Sequence, residues 1–549
     1  MSWDGTRAGF EGRMLRSFAA HPRRGLGHKL GKCLGAALLL CGLAGLAWPQ
    51  ASHSSPVFSQ VESYIQQRQY DRAIALLQVI LEKSPTDPMA HNLMGIALTS
   101  SGKPEEGNAH FQAALKSNPG FYPALKNLAL NELAMNRLEE ARSHFEQFLK
   151  YAPQDPVAHL SLAEIHYAKR EFGPAVDEYV KSGGLFERDA RTALRFARSC
   201  FESNQGERAA EVLGHLSPGA DGQTHFQAGL MLAQLEKYAS AARQFELAKK
   251  DYPDPYEVGF NLTLAYVKSL NYPAAIQAGQ DVIAQGYRKA ELYNLLGEAF
   301  EHNNQTIEAY NALRTATQID PRDEDNYLDL MALGVDHANF DLALDIANIG
   351  LRNIPDSYRL IMQRGAVKAF HGQITPAVED FEAAAKLEPD KDLPYFGMCM
   401  ALMQKDQTPQ AIEVVRQRLK TNPNDYLLLF ALGEILSRSA ASGGRDDEAL
   451  DLLERSVRLN PDFATSRLEL GKVYLRHGED ERARVELERA LQLDPTDLTP
   501  CYQLAQICRR KGDKKQADEL FAKFVKFRDE DRERHINRHL LQLLRDGEK

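Results

Sequence analysis

Cysteine, tryptophan, positive charge and long apolar runs are all scarce in this chain, and each shortage closes off a class of reading. Six cysteines occur in 549 residues, and Cys33 and Cys41 fall in an N-terminal segment unlike the remainder. Of the other four, Cys200, Cys399, Cys501 and Cys508, the last two would lie roughly 10 Å apart on one helix, beyond disulfide reach. With no bridge framework and no CxxC metal knuckle, buried thiols are the expectation. The two tryptophans, Trp3 and Trp48, also belong to the N-terminal segment. Beyond residue 53 there are 59 basic and 73 acidic residues, a net charge of -14, the wrong sign for binding a phosphate backbone. No HExxH motif, nucleophile elbow or strand-helix alternation is present, so no catalytic module and no cofactor is expected. Glycine-rich Gly25 to Gly31 follows no strand and is not a nucleotide loop. His91, His159 and His225 are isolated at a packing position, and His535 and His539 lack a third ligand, so no metal site is expected either.

The uncharged apolar run from Cys33 to Trp48 is 16 residues, short of the roughly 20 that span a membrane. Arg13, Arg16, Arg23, Arg24, Lys29 and Lys32 precede it, and a small, polar stretch follows. That order is the order of a secretory signal, with cleavage near Ala51 favoured over a permanent anchor. Residues 1–53 are thus expected to be a signal peptide or N-terminal membrane anchor. The rest is placed outside the cytoplasm of a bacterial cell, periplasmic or secreted, with residues 33–48 the only membrane contact.

What is abundant is repetition. Ala73, Ala141, Ala175, Ala209, Ala241, Ala275, Ala309, Ala343, Ala377, Ala411, Ala449, Ala483 and Ala517 form a ladder whose missing rung is Gly107, and nearly every step is 34 residues. Ten prolines, from Pro85 to Pro495, run in register with it. A period of that length signals stacked helix-turn-helix units, here fourteen. In the unit from Ala464 to Asp497, Leu470, Gly471 and Tyr474 share one face of a first helix, and Ala483, Leu487 and Ala490 share one face of a second. Gly478 marks the turn between them and Pro495 the stop. The residue after the apolar rung is small in most units, as at Gly95, Ala129, Gly229, Gly297, Gly365, Gly433 and Gly471, so the two helices cross closely.

This order of Leu-Gly, Tyr, Gly, Ala, Phe, Ala and Pro resembles the tetratricopeptide repeat, from residue 54 to residue 531. The resemblance implies an all-α fold, an α-α superhelix or solenoid of about fourteen helix-turn-helix repeats lined on its concave face by first helices. The family's frequent tryptophan is replaced by His91, His159, His225, Tyr293, Tyr327 and Tyr395. The fifth repeat is two residues short, which predicts a bend or break near 182–222, and the twelfth carries four extra residues within 439–446. Ile536, Leu540, Leu543 and Leu544 stripe a charged C-terminal helix, residues 532–549, expected to cap the last repeat.

The resemblance also implies that protein or peptide partners lie in the concave groove. One recurring groove position carries Asn127, Ser161, Gln227, Asn261 and Gln363, side chains able to hold an extended peptide backbone. Arg195, Asp329 and Glu469 share that position. In the ninth to twelfth repeats Leu328, Met362, Phe370, Phe396, Met400 and Phe430 are apolar beyond what packing uses, and methionine-rich apolar surface adapts to varied partners. The clamp by which some family members hold acidic peptide C-termini is absent, since Leu130 stands where its second asparagine would be. The functional expectation is an exported, non-enzymatic scaffold for protein–protein interaction, in envelope assembly, secretion or polysaccharide export. The alternative is a peptide-guiding or regulatory subunit of an enzyme such as a glycosyltransferase system.

Overall fold

The computed structural model describes residues 56–440, 446–495 and 497–525. The leader, the capping stripe, His535 and His539, and most of the twelfth repeat's extra residues lie outside them. Among the described residues there is no strand; twenty-seven α-helices run from Pro56 to Arg510, and one more covers 514–525. They pair into fourteen helical hairpins, the α-α solenoid that the 34-residue period predicts. The described residues fall into two compact units, one ending at Val282 with seven repeats and one beginning at Ile283 with seven.

The hairpins share a plan. Several first helices open on a side-chain cap: Asp155 accepts from the amides of Val157 and Ala158 at 3.1 and 2.9 Å, and Pro156 fills the first helical position. Asp87 caps Pro88–Ser100 in the same manner. Asp155 also receives Lys126 from the preceding repeat at 2.7 Å, tying a cap to an inter-repeat contact. Asp155→Ala should therefore cost about 1 kcal/mol or a little more in urea unfolding, since a cap alone contributes ~0.5–2. Asp155→Asn, which keeps the cap and loses the charge, should recover most of it.

The turn to the second helix uses one residue in the left-handed region. Nine are not glycine, namely Arg68, Asn136, Arg170, Asn204, Glu236, Leu270, Asn304, Ala338 and Asp406; Gly102, Gly372, Gly478 and Gly512 serve the other described turns. At Gly102 the geometry is a Schellman closure, with the Lys103 amide donating to the Leu98 carbonyl at 2.9 Å. The non-glycine turns hold a backbone shape that favours glycine, so packing on both sides enforces it.

All thirteen ladder alanines are fully buried. The small residues of the first helices are crowded by the second: a Cβ at Gly95, Gly229, Gly297 or Gly471 would stand 2.5–2.7 Å from Phe111, Phe245, Leu313 or Leu487, each 16 positions later. In the twelfth repeat the partner of Gly433 is Leu453, 20 positions later. The offset of four places that insertion between the two helices.

The tryptophan position is a hydrogen-bonded latch. His159 sets Nε2 2.9 Å from the Pro153 carbonyl and Nδ1 2.6 Å from Glu178. His91 does the same with the Pro85 carbonyl and His110, at 2.9 and 3.0 Å. Arg467 repeats the pattern with the Pro461 carbonyl at 2.6 Å and Glu486 at 2.5 Å, and Tyr327 donates to the Pro321 carbonyl at 3.1 Å. Each fastens the proline turn, six residues back, to its own first helix.

Residues 182–222 lie within the first unit. Two glycines with positive φ, Gly183 and Gly184, lead into a short 3-10 turn, Leu185–Arg188. That turn lays Phe186 edge-on against Phe196 and Tyr179, with ring centres 4.6 and 6.5 Å apart.

Candidate docking faces

The polar row does not form a uniform ladder. Ser161 is fully buried and donates to the Val157 carbonyl one turn back at 2.8 Å; Asn261, also buried, does the same to Glu257 at 2.8 Å. Both satisfy their own helix and have little left to offer a peptide, which corrects the expectation for these two. Asn127 is half-buried and donates to Asn92 at 2.9 Å, and Gln227 is exposed. Gln363 is buried, and its amide nitrogen has no hydrogen-bond acceptor among the described residues.

Arg195, in the same row, does something else. Its guanidinium meets Glu164 of the preceding repeat at 2.5 Å, and the Tyr179 hydroxyl donates to the same carboxylate at 2.7 Å. Burial raises the Glu164 carboxyl above the ordinary carboxylate range, against the opposing pull of Arg195 and of Tyr179. In the second unit Glu434 and Glu469 are the nearest counterpart, two like charges on successive first helices. Burial and Glu469 push the Glu434 carboxyl up to about 7, while Arg438 at 2.6 Å pulls it down.

The apolar set divides as well. Leu328, Met362, Phe396 and Phe430 are buried, at 5%, 1%, 1% and 3% exposure, contrary to their expected place on a docking surface. The cause is packing along the stack: Phe430 lies 6.5 Å from Phe396 and edge-on to Phe463 at 5.2 Å. Substituting these residues probes the core. Phe370 and Met400 are half-buried. They flank a small apolar cleft of about 10 Å³ between the first helices Tyr358–Phe370 and Leu393–Gln404, floored by Phe381 and Gly397 and closed by Gln404. Gly397 occupies the polar-row position and leaves that rung without a side chain.

The described cysteines are free thiols; Cys200, Cys399 and Cys501 are buried, and burial pushes Cys200 to about 11 and Cys399 to about 12. Among the described residues no group of three or more His, Cys, Asp or Glu is placed to hold a metal ion, and no helix is long and apolar enough to cross a membrane. The latch at Arg467 and the non-glycine turns escaped the sequence reading. The signal for the latch was present, a proline six residues before and an acid 19 after.

Tetratricopeptide-repeat models match residues 58–123, 98–165, 290–323, 436–497 and 498–531. The chain is a tetratricopeptide repeat protein. Its fourteen hairpins form a repeat scaffold suited to protein–protein interaction. Among curated relatives, the anaphase-promoting complex subunit 3 of Schizosaccharomyces pombe is 22% identical over 184 residues, 33% of this chain and 28% of that protein. The type IV pilus assembly protein PilF of Pseudomonas aeruginosa is 23% identical over 204 residues, 30% of this chain and 81% of that one. This tetratricopeptide protein thus spans little more than a quarter of the length of its fission-yeast relative. Among solved structures, yeast Tom70 aligns with a TM-score of 0.39 and 14% identity over 85% of this chain and 96% of that chain.

Proposed function

We propose that this tetratricopeptide protein is an exported, non-enzymatic scaffold that docks segments of partner proteins against its first helices, working in envelope assembly, secretion or polysaccharide export. The observation that carries the docking surface is the cleft of the tenth and eleventh repeats. There Phe370 and Met400 stay partly open to solvent around the bare rung at Gly397. Apolar side chains left open beside a methionine-rich helix suit varied apolar anchors. Export is supported by the basic stretch and 16-residue apolar run before Pro49, and an envelope role by similarity to a pilus assembly protein.

The test uses the full chain, tagged at its C-terminus and recovered with cross-linked partners from the envelope fraction. Phe370→Asp combined with Met400→Asp should keep the far-ultraviolet circular dichroism of the parent and reduce its specific partners at least tenfold by quantitative mass spectrometry. Undiminished capture by a folded double variant overturns the docking surface. N-terminal sequencing of the recovered chain should begin near Ser52, and a chain confined to the cytoplasm overturns export.

A further inference from the structure

The shortened fifth repeat opens a pocket separate from the cleft of the tenth and eleventh. The caps of the fifth and sixth first helices, Asp189 and Asp221, are 32 residues apart instead of 34, and the fifth second helix is only nine residues long, Gly206–Gly214. The second helix before it, Phe172–Lys181, also stops early, at ten residues. Two consecutive second helices therefore lack their last turn at the same edge, and the 3-10 turn Leu185–Arg188 fills only part of the gap. What remains is a pocket of about 410 Å³. That is the volume of roughly a dozen liquid waters and lies within the usual ~300–1,000 Å³ range of ligand sites.

Its walls are apolar, with Phe186, Phe196, Val212 and Leu216 inside and Val180, 53% exposed, at the mouth. Its rim is charged. Glu187 and Glu211 are exposed there and form no ion pair among the described residues. Other carboxylates of this unit, in the first turns of second helices, are tied to the next repeat: Glu105 to Arg137 at 2.5 Å, Glu139 to Lys169 at 2.6 Å, and Glu207 to Lys237 at 2.9 Å. Arg208, the rim's guanidinium, donates to Gln205 on its own turn at 2.8 Å. His215 is held by the Glu211 carbonyl at 2.9 Å.

We propose that this pocket is a second docking site, which takes one large apolar side chain from a partner protein's segment that also carries a lysine or arginine to meet Glu187 and Glu211. The apolar anchor fills the volume that the missing helical turns vacate, and desolvating it supplies the affinity. The two unpaired carboxylates select the flanking charge and disfavour acidic segments. This site lies in the first unit and does not depend on the Phe370 and Met400 cleft.

The probe is a twelve-residue Gly/Ser peptide, blocked at both ends, with one central tryptophan flanked by two lysines, titrated calorimetrically into the full chain. Submillimolar binding is expected, weakened at least tenfold when the tryptophan becomes alanine or both lysines become glutamate. Val180→Arg and Glu211→Lys alter exposed side chains, should keep the parent's circular dichroism, and should each weaken binding at least tenfold. Phe370→Asp should leave it unchanged, so failure here and failure of the first-helix cleft are separate results. Absence of binding, equal binding of the lysine and glutamate peptides, or parental binding by both pocket variants overturns the proposal. Concentration-dependent dimerisation abolished by Val180→Arg also overturns it, and gives the pocket to a second copy of the chain.

Discussion

Replacing Arg195 with methionine should destabilise the first unit by about 3–5 kcal/mol near neutral pH, the usual cost of stranding one partner of a buried ion pair. Glu164 would keep the Tyr179 hydroxyl, 2.7 Å away, but lose the cation at 2.5 Å. Its carboxyl is already raised by burial with Arg195 present, and removing the largest opposing influence raises it further. A carboxyl raised in the folded state favours folding fully below its unfolded value, about 4.3, and that contribution is lost as pH rises through the folded value. The variant should therefore stand closest to the parent near pH 4 and fall progressively behind toward pH 7. Urea unfolding across that range, followed by hydrogen exchange in the fourth and fifth repeats, reads both the size and the direction. The double variant Arg195→Met with Glu164→Gln removes both charges and should recover most of the loss. A pH-independent defect in the single variant would show that the methionine fails for reasons of shape.

Phe381→Ala should cost the second unit about 3–5 kcal/mol, the range for truncating a buried phenylalanine where the site cannot collapse. Phe381 is 1% exposed, and its ring lies against two bare backbones: a Cβ at Gly365 or Gly397 would come within 2.9 or 2.8 Å of it. Neither glycine has a side chain to move into the void. Phe381→Leu should cost only about 1–1.5 kcal/mol, because volume-conserving apolar swaps are tolerated. Leu313, Leu453 and Leu487 already fill the same place in other repeats of this unit. In a stack where each repeat contacts only its neighbours, the loss should appear first as faster hydrogen exchange in the tenth and eleventh repeats and leave the last two slower. Equal costs for the alanine and leucine variants would mean that the ring's edge contacts, and not its volume, hold the two glycines.

The fold was legible in the chain because a repeat writes each constraint many times. One buried alanine or one crowded glycine is weak information, but Ala73 to Ala517 at steps of 34 leave a single architecture. The candidate sites were legible only in part. Phe396 and Phe370 look alike in the sequence, both aromatic on first helices of neighbouring repeats, yet one is core and the other lines a cleft. Ser161 and Asn127 share a position, and only Asn127 reaches across to another repeat. The two-residue deficit of the fifth repeat is visible in the sequence as a site for a bend or break, but not the pocket at Phe186, since that depends on how far the 3-10 turn fills the gap left by two short helices.

By itself the sequence determined the hairpin, the register and the number of repeats, because these depend on spacing along one chain and on local backbone chemistry. Tertiary structure decided which side chains face solvent. It paired Arg195 with Glu164 across 31 positions and closed the latch at Arg467. It also buried Phe430 between Phe396 and Phe463. Exposure is a property of what the neighbouring repeat places opposite a residue, and the periodicity of a single repeat carries no record of it.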